Sequence, residues 1–230
     1  MFLLYNLFGL LILIIYPLIF FIRFLNSKED LNRFFEKISI YKGINSKKTL
    51  WIHAVSVGEV LSVIPLIKEF EKDIKVKQIL VTTSTKSSAL ILSKYKFSKV
   101  IHKYLPIDVN FITKRFINYW KPYLAIFIES EIWPNFYFNL KKKDIPIILL
   151  NARITSKSFN RWRKLSIFSS DIFSKINLAL SQNKETIKYL KNLGTKKIKF
   201  FGNLKFYREK RNLNINSKLF NSFKNKKIWC

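Results

Sequence analysis

Three of this chain's 14 acidic residues stand where a strand-like run gives way to a turn. Glu59 closes the stretch Trp51-Ile52-His53-Ala54-Val55-Ser56-Val57-Gly58-Glu59, and Glu129 and Glu131 directly follow Leu124-Ala125-Ile126-Phe127-Ile128. A carboxylate beside heavily apolar strands is partly desolvated, which raises its pKa. Such a group is suited to take a proton from a hydroxyl near neutral pH. Glu59 also opens the helical pattern Val60, Leu61, Val63, Ile64, Leu66, Ile67, Phe70, so capping of a first helical turn competes with the catalytic role. Glu129 and Glu131, two residues apart, point oppositely in a strand and well apart on a helix. One is expected to face a cleft while the other caps a helix or meets a surface lysine. A third edge, Gly202-Asn203-Leu204-Lys205 after Ile198-Lys199-Phe200-Phe201, adds an amine.

Other reactive side chains fit weaker patterns. His53 lies inside a strand and reads as a hydrogen-bonded core histidine; His102 is mid-strand with no acidic neighbour in sequence. Neither belongs to a triad or metal-ligand spacing. Ser56 lacks the G-x-S-x-G elbow of a nucleophilic serine. Thr82-Thr83-Ser84-Thr85 suits either anion binding or ordinary capping. Trp133 reads as packing, and Pro134 fits the first turn of a helix. Arg153, at the end of Asn151-Ala152-Arg153, suits either a bidentate grip on an anion or plain solvation. Cys230 is the sole cysteine, so no internal disulfide and no cysteine metal cluster is expected.

The elements that must position these groups are short apolar runs at 49–55, 78–84, 100–105, 123–128, 146–151, 176–181 and 198–201. They lack alternating polarity, as strands covered on both faces do. Amphipathic stretches at 59–72, 86–96, 108–119, 133–142, 158–175 and 183–193 lie between them, with Asp108 and Ser158 as expected caps and Gly194 as a helix stop. Alternating units of this length predict an α/β fold, a Rossmann-like, doubly wound parallel sheet. In such a sheet the three edges share the carboxyl rim, where ligands bind. No G-x-G-x-x-G follows the first strand, so the usual dinucleotide fingerprint is missing.

At 49% hydrophobic, the 230 residues can bury a sizeable core, and the net charge of +28 favours an anionic partner. Abundant Lys, Asn, Ile and Phe also fit an AT-rich codon bias, so charge alone names no partner. No zinc-finger spacing, RNP-type motif or G-x-x-G loop supports nucleic-acid binding. Met1 to Ile22 carries no charge and is long enough to cross a bilayer. Nothing basic precedes it, small residues do not follow it, and Arg23, Lys28, Arg33, Lys37 and Lys42 come after it. A retained membrane anchor at 1–22 is expected, spanning or lying flat, with the body on the cytoplasmic side.

These motifs together resemble the amino-terminal half of bacterial 3-deoxy-D-manno-octulosonic acid (Kdo) transferases. The stretches that carry the resemblance are Ser56-Val57-Gly58-Glu59-Val60, Thr82-Thr83-Ser84-Thr85, Leu105-Pro106-Ile107-Asp108, Glu129-Ser130-Glu131-Ile132-Trp133-Pro134-Asn135, Asn151-Ala152-Arg153 and Gly202-Asn203-Leu204-Lys205-Phe206. A glycine common in the family's threonine-rich motif is here Ser88. The resemblance implies a GT-B glycosyltransferase that moves Kdo from CMP-Kdo to lipid A precursor in lipopolysaccharide synthesis. It implies work at the cytoplasmic face of the inner membrane, inversion at the anomeric centre, and no metal or other cofactor. It assigns Glu59 as general base and Glu129 and Lys205 as stabilisers of the transition state. The expected organisation is anchor 1–22, basic connector 23–48, acceptor-binding domain 49–225 and, at 226–230, the opening of a donor-binding domain that the chain lacks. The competing reading is a non-catalytic, membrane-tethered module that holds anionic lipid through its connector and Lys-rich tail.

Overall fold

A computed structural model describes residues 1–26 and 29–204. Seven strands form one sheet: β1 (Thr49–His53), β2 (Ile79–Thr83), β3 (Val100–Tyr104), β4 (Pro122–Ile128), β5 (Ile147–Ala152), β6 (Leu178–Ser181) and β7 (Ile198–Phe200). All pairs are parallel and the order is β3-β2-β1-β4-β5-β6-β7. The chain thus winds outward one way from β1 and then the other way from β4. Their junction is a topological switch point, where the carboxyl ends of two adjacent strands open a crevice.

Neighbouring residues of one strand enter opposite cores. Trp51 and Phe127 pack with Phe116, Phe136, Tyr137 and Phe173 on one face. Ile52 and Ile126 pack with Val60, Val63, Ile64 and Ile67 on the other. This explains the lack of alternating polarity: each pleat position meets a helix layer. The second face is covered by α2 (Val57–Lys72) and α3 (Lys86–Ser93), the first by α4 (Asn110–Trp120), α5 (Pro134–Lys142), α7 (Ser166–Phe173) and α8 (Lys184–Asn192). The expected helix over 158–175 is two helices, α6 (Ser156–Arg163) and α7, broken where Leu165 takes φ −110° and ψ 45°. Thr155, and not Ser158, caps α6, accepting from the Ser158 amide at 3.2 Å. Gly194 stops α8 with φ +106°.

The amino-terminal helix α1 (Phe2–Leu25) is docked along its whole length. Phe2 packs on Phe138 with centroids 4.5 Å apart, Tyr5 donates to Asp108 at 2.7 Å, Phe20 meets Phe34 at 4.7 Å and Arg23 pairs with Glu29 at 2.7 Å. Gly9 lets the backbone approach: a Cβ there would lie 3.2 Å from Val109. The opposite face stays apolar and exposed, with Leu3 at 83% and Ile14 at 77%. The segment after α1 contains a 3-10 helix (Leu31–Ile38) held to β3 by Glu36, which accepts from Arg33, from Lys103 Nζ at 2.9 Å and from the Tyr104 amide at 2.9 Å.

Candidate active site

Glu59 sits in the third position of α2, directly beyond β1. The residues Ser56-Val57-Gly58-Glu59 form a capping box. Ser56 Oγ accepts from the Glu59 amide at 3.3 Å, and the Glu59 carboxylate accepts from the Val55 amide at 2.9 Å and from Ser56 Oγ at 2.8 Å. The capping reading and a chemical role are therefore compatible. One lone-pair direction on each carboxylate oxygen serves the turn, leaving the other for a ligand hydroxyl. The side chain is buried, and this burial raises its pKa above the ordinary carboxyl value. The bonds from Val55 and Ser56 oppose that rise; the negative charges of Glu131 and then Glu129 add to it.

The two glutamates beyond β4 both raise the proton affinity of Glu59, and their carboxylates meet different partners. Glu129 has φ +58°, neither strand nor helix. An L-residue in that region costs on the order of 1–2 kcal/mol, and it is held there by its neighbours. The Glu129 amide donates to Leu150, its carbonyl accepts from Arg153 at 3.3 Å, and its carboxylate accepts from Asn151 Nδ2 at 3.5 Å. Asn151 itself has φ +53°, and its Oδ1 accepts from the Leu204 amide at 3.0 Å. Through that bond the Gly202-Asn203-Leu204 turn reaches the end of β5. Lys205 follows it and lies outside the described residues.

Among the described residues, Glu131 meets neither a helix terminus nor a lysine. Its carboxylate accepts from Trp133 Nε1 at 2.9 Å and lies 3.5 Å from His53 Nε2. His53 is a fully buried core histidine, as expected, but it also faces this acid. Trp51 Nε1 donates to Thr82 Oγ1 at 2.8 Å, and Thr82 Oγ1 lies 2.9 Å from His53 Nδ1. In the tautomer with hydrogen on Nε2, the Thr82 hydroxyl donates to Nδ1 and the ring points its N–H at Glu131. Sequence reasoning placed Glu131 at the rim with Glu59 and Glu129 but gave Asn151 no role there. For Asn151 a signal existed, since Asn tolerates left-handed backbone better than most residues.

The remaining candidates have structural roles. Thr85 caps α3, accepting from the Ser88 amide at 3.1 Å. Ser88 is buried in the first turn of α3 and donates to the Val55 carbonyl at 2.9 Å, joining α3 to the turn that holds Glu59. His102 is bonded to Thr83 Oγ1 at 2.9 Å; burial, then the Arg33 charge, press its pKa down to about 3. Arg153 is exposed at the rim. Asp108 caps a helix other than the one expected. It leaves α4 to begin at Asn110 without a side-chain cap and instead accepts from the Asn135 and Phe136 amides at 3.0 Å each, at the start of α5. Pro134 opens α5 as expected.

A sequence profile of the 3-deoxy-D-manno-octulosonic-acid transferase (Kdo transferase) family matches residues 32–208. A 3-deoxy-D-manno-octulosonic acid transferase of Rickettsia bellii is 39% identical over 98% of this chain and 54% of its own length. One of Haemophilus influenzae is 33% identical over 91% of this chain and 49% of its own. Among solved structures, a UDP-GlcNAc 2-epimerase from Neisseria meningitidis shares the fold, with TM-score 0.50 and 11% identity over 69% of this chain and 47% of that one. The chain spans about half the length of the curated relatives it matches. A capping-box glutamate and two further acids at the switch point of a doubly wound sheet thus occur in a chain that belongs to the 3-deoxy-D-manno-octulosonic acid transferase family.

Proposed function

We propose that this chain is the acceptor-binding half of a GT-B glycosyltransferase that moves Kdo from CMP-Kdo to lipid A precursor, with inversion. Glu59 acts as general base on the acceptor hydroxyl; Glu129 and Lys205 stabilise the transition state. The observation that carries this reading is the state of Glu59. It is fixed by two hydrogen bonds at a switch-point crevice, with its proton affinity raised by burial and by two neighbouring acids. A base of that kind takes the hydroxyl proton as the oxygen attacks the sugar, and surrenders it to solvent after transfer. The donor site belongs to the second half of the relatives' length. The test uses the transferase with that half present: Glu59→Gln should lower Kdo transfer about 10²–10⁴-fold with the far-UV and near-UV dichroism unchanged. Retained transfer in the variant would refute the base assignment.

The same proposal places the chain at the cytoplasmic face of the inner membrane, with α1 lying along the surface. At about 1.5 Å per residue a helix of this length could cross the hydrocarbon core. Its docked face, from Phe2 to Arg23, would then drag the domain's polar surface into lipid. Lying flat, the exposed leucines and isoleucines enter the bilayer and the domain stays wet. In the basic connector Arg23 and Arg33 are engaged by Glu29 and Glu36, which leaves the exposed Lys42, Lys47 and Lys48 to the competing binding-module reading.

A further inference from the structure

A groove of about 460 Å³ runs between α1 and the carboxyl rim of the sheet. Its volume falls within the roughly 300–1,000 Å³ of ordinary ligand sites. One wall is the inner flank of α1, with Phe8, Ile12 and Tyr16; the other is Leu105, Pro106 and Trp133. We propose that this groove receives an acyl chain of the acceptor glycolipid, a deepening that rests on the transferase reading above.

Two features commit the groove to that occupant. It is continuous on one side with the exposed apolar flank of α1, where Phe8 is 65% and Ile12 47% exposed, so a hydrocarbon chain enters without crossing water. On the other side it ends at Trp133, whose indole N–H is bonded to Glu131, one of the acids that acts on Glu59. A chain lodged there carries its own headgroup toward the general base. A bulk phospholipid is the alternative occupant, and the test below separates the two. The acceptor is in effect lifted part-way from the bilayer, with one chain sheltered while its sugar reaches the crevice.

The test is photolabelling of the full chain in phosphatidylethanolamine–phosphatidylglycerol vesicles, read by peptide mass spectrometry. One probe is a lipid A precursor with a diazirine in an acyl chain; the other is a phospholipid with the same labelled chain. The glycolipid should label Leu105–Ile107 and Trp133, and the phospholipid the outer residues of α1 such as Ile14. Ile12→Trp and Phe8→Trp, both at partly exposed positions, should each cut groove labelling at least tenfold, and Ile14→Trp should not. Equal labelling of the groove by both probes, or glycolipid labelling confined to the outer face, would overturn the proposal. Labelling needs neither donor nor turnover, so it should persist in Glu59→Gln. Kdo transfer without groove labelling would reject the groove and leave the transferase standing; groove labelling without transfer by the two-half protein would do the reverse.

Discussion

Asp108 offers a test of the structure that does not depend on the enzymology. Its buried carboxylate accepts three hydrogen bonds, from Tyr5 Oη at 2.7 Å and from the Asn135 and Phe136 amides at 3.0 Å each. Burial still dominates: the pKa is raised from 3.8 to about 6 against the pull of those donors. The sign follows directly. Between these two values the folded protein keeps a proton that the unfolded chain has released, so stability falls as pH rises through that window. At about 1.4 kcal/mol per pH unit, the loss is on the order of 3 kcal/mol. In Asp108→Asn, the amide oxygen takes the place of Oδ2, which serves Tyr5 and Asn135, and the NH₂ then faces the Phe136 amide. One buried N–H is orphaned at a cost of about 1–3 kcal/mol. The variant should therefore be less stable than the parent by that amount at pH 4 and close to it at pH 7. Urea unfolding in mild detergent at both pH values measures the difference, and taking variant against parent cancels other carboxylates such as Glu36. A variant-to-parent gap that is the same at pH 4 and pH 7 would refute the account of Asp108.

Glu59→Gln should leave the unfolding free energy within about 1 kcal/mol of the parent, since Gln also closes a capping box and sheds a buried charge; a larger fall in the urea midpoint would mean the residue is chiefly structural. Transfer by the complete enzyme should rise with pH through the raised Glu59 pKa, because only the ionised carboxylate accepts a proton, and a pH–rate profile of kcat/KM reads this. Gly194→Ala would place a Cβ 3.1–3.3 Å from Ser170 atoms at φ +106°. Strain and overpacking together should cost about 2–4 kcal/mol, visible as a fall in Tm. Ser88→Ala removes the 2.9 Å bond to the Val55 carbonyl and should cost about 1 kcal/mol by urea titration.

The sheet was legible because its period is local. Each strand is a short apolar run, each helix a recurring stripe, and the parallel order follows from winding rules. Glu59 was legible for the same reason: strand, Ser-x-x-Glu turn and helix start are contiguous. What escaped depended on backbone state or distant partners. The positive φ at Glu129 is announced by no residue-type pattern at a glutamate. Asp108 looked like the cap of the next helix, yet its donors lie 27 and 28 residues on. The break at Leu165 interrupts no apolar stripe, so periodicity ran the two helices together. The docked face of α1 is made of Phe2, Tyr5, Gly9, Tyr16 and Phe20, whose partners are scattered from Phe34 to Phe168.

Asp108 also shows that the amino-terminal helix is part of the domain. One carboxylate binds the Tyr5 hydroxyl on α1 and the first amides of α5. The residues immediately before α5 are Glu129 to Trp133, the acid cluster itself. Displacing α1 removes the Tyr5 donor, opens the same cap to water, and loosens the turn that sets Glu131 beside His53. The position of α1 and the geometry of the rim are therefore linked through a single buried side chain. A version of the protein lacking residues 1–25 would lose Phe2, Tyr5 and Phe20 from its packing, so any change in its chemistry could not be ascribed to loss of membrane contact alone.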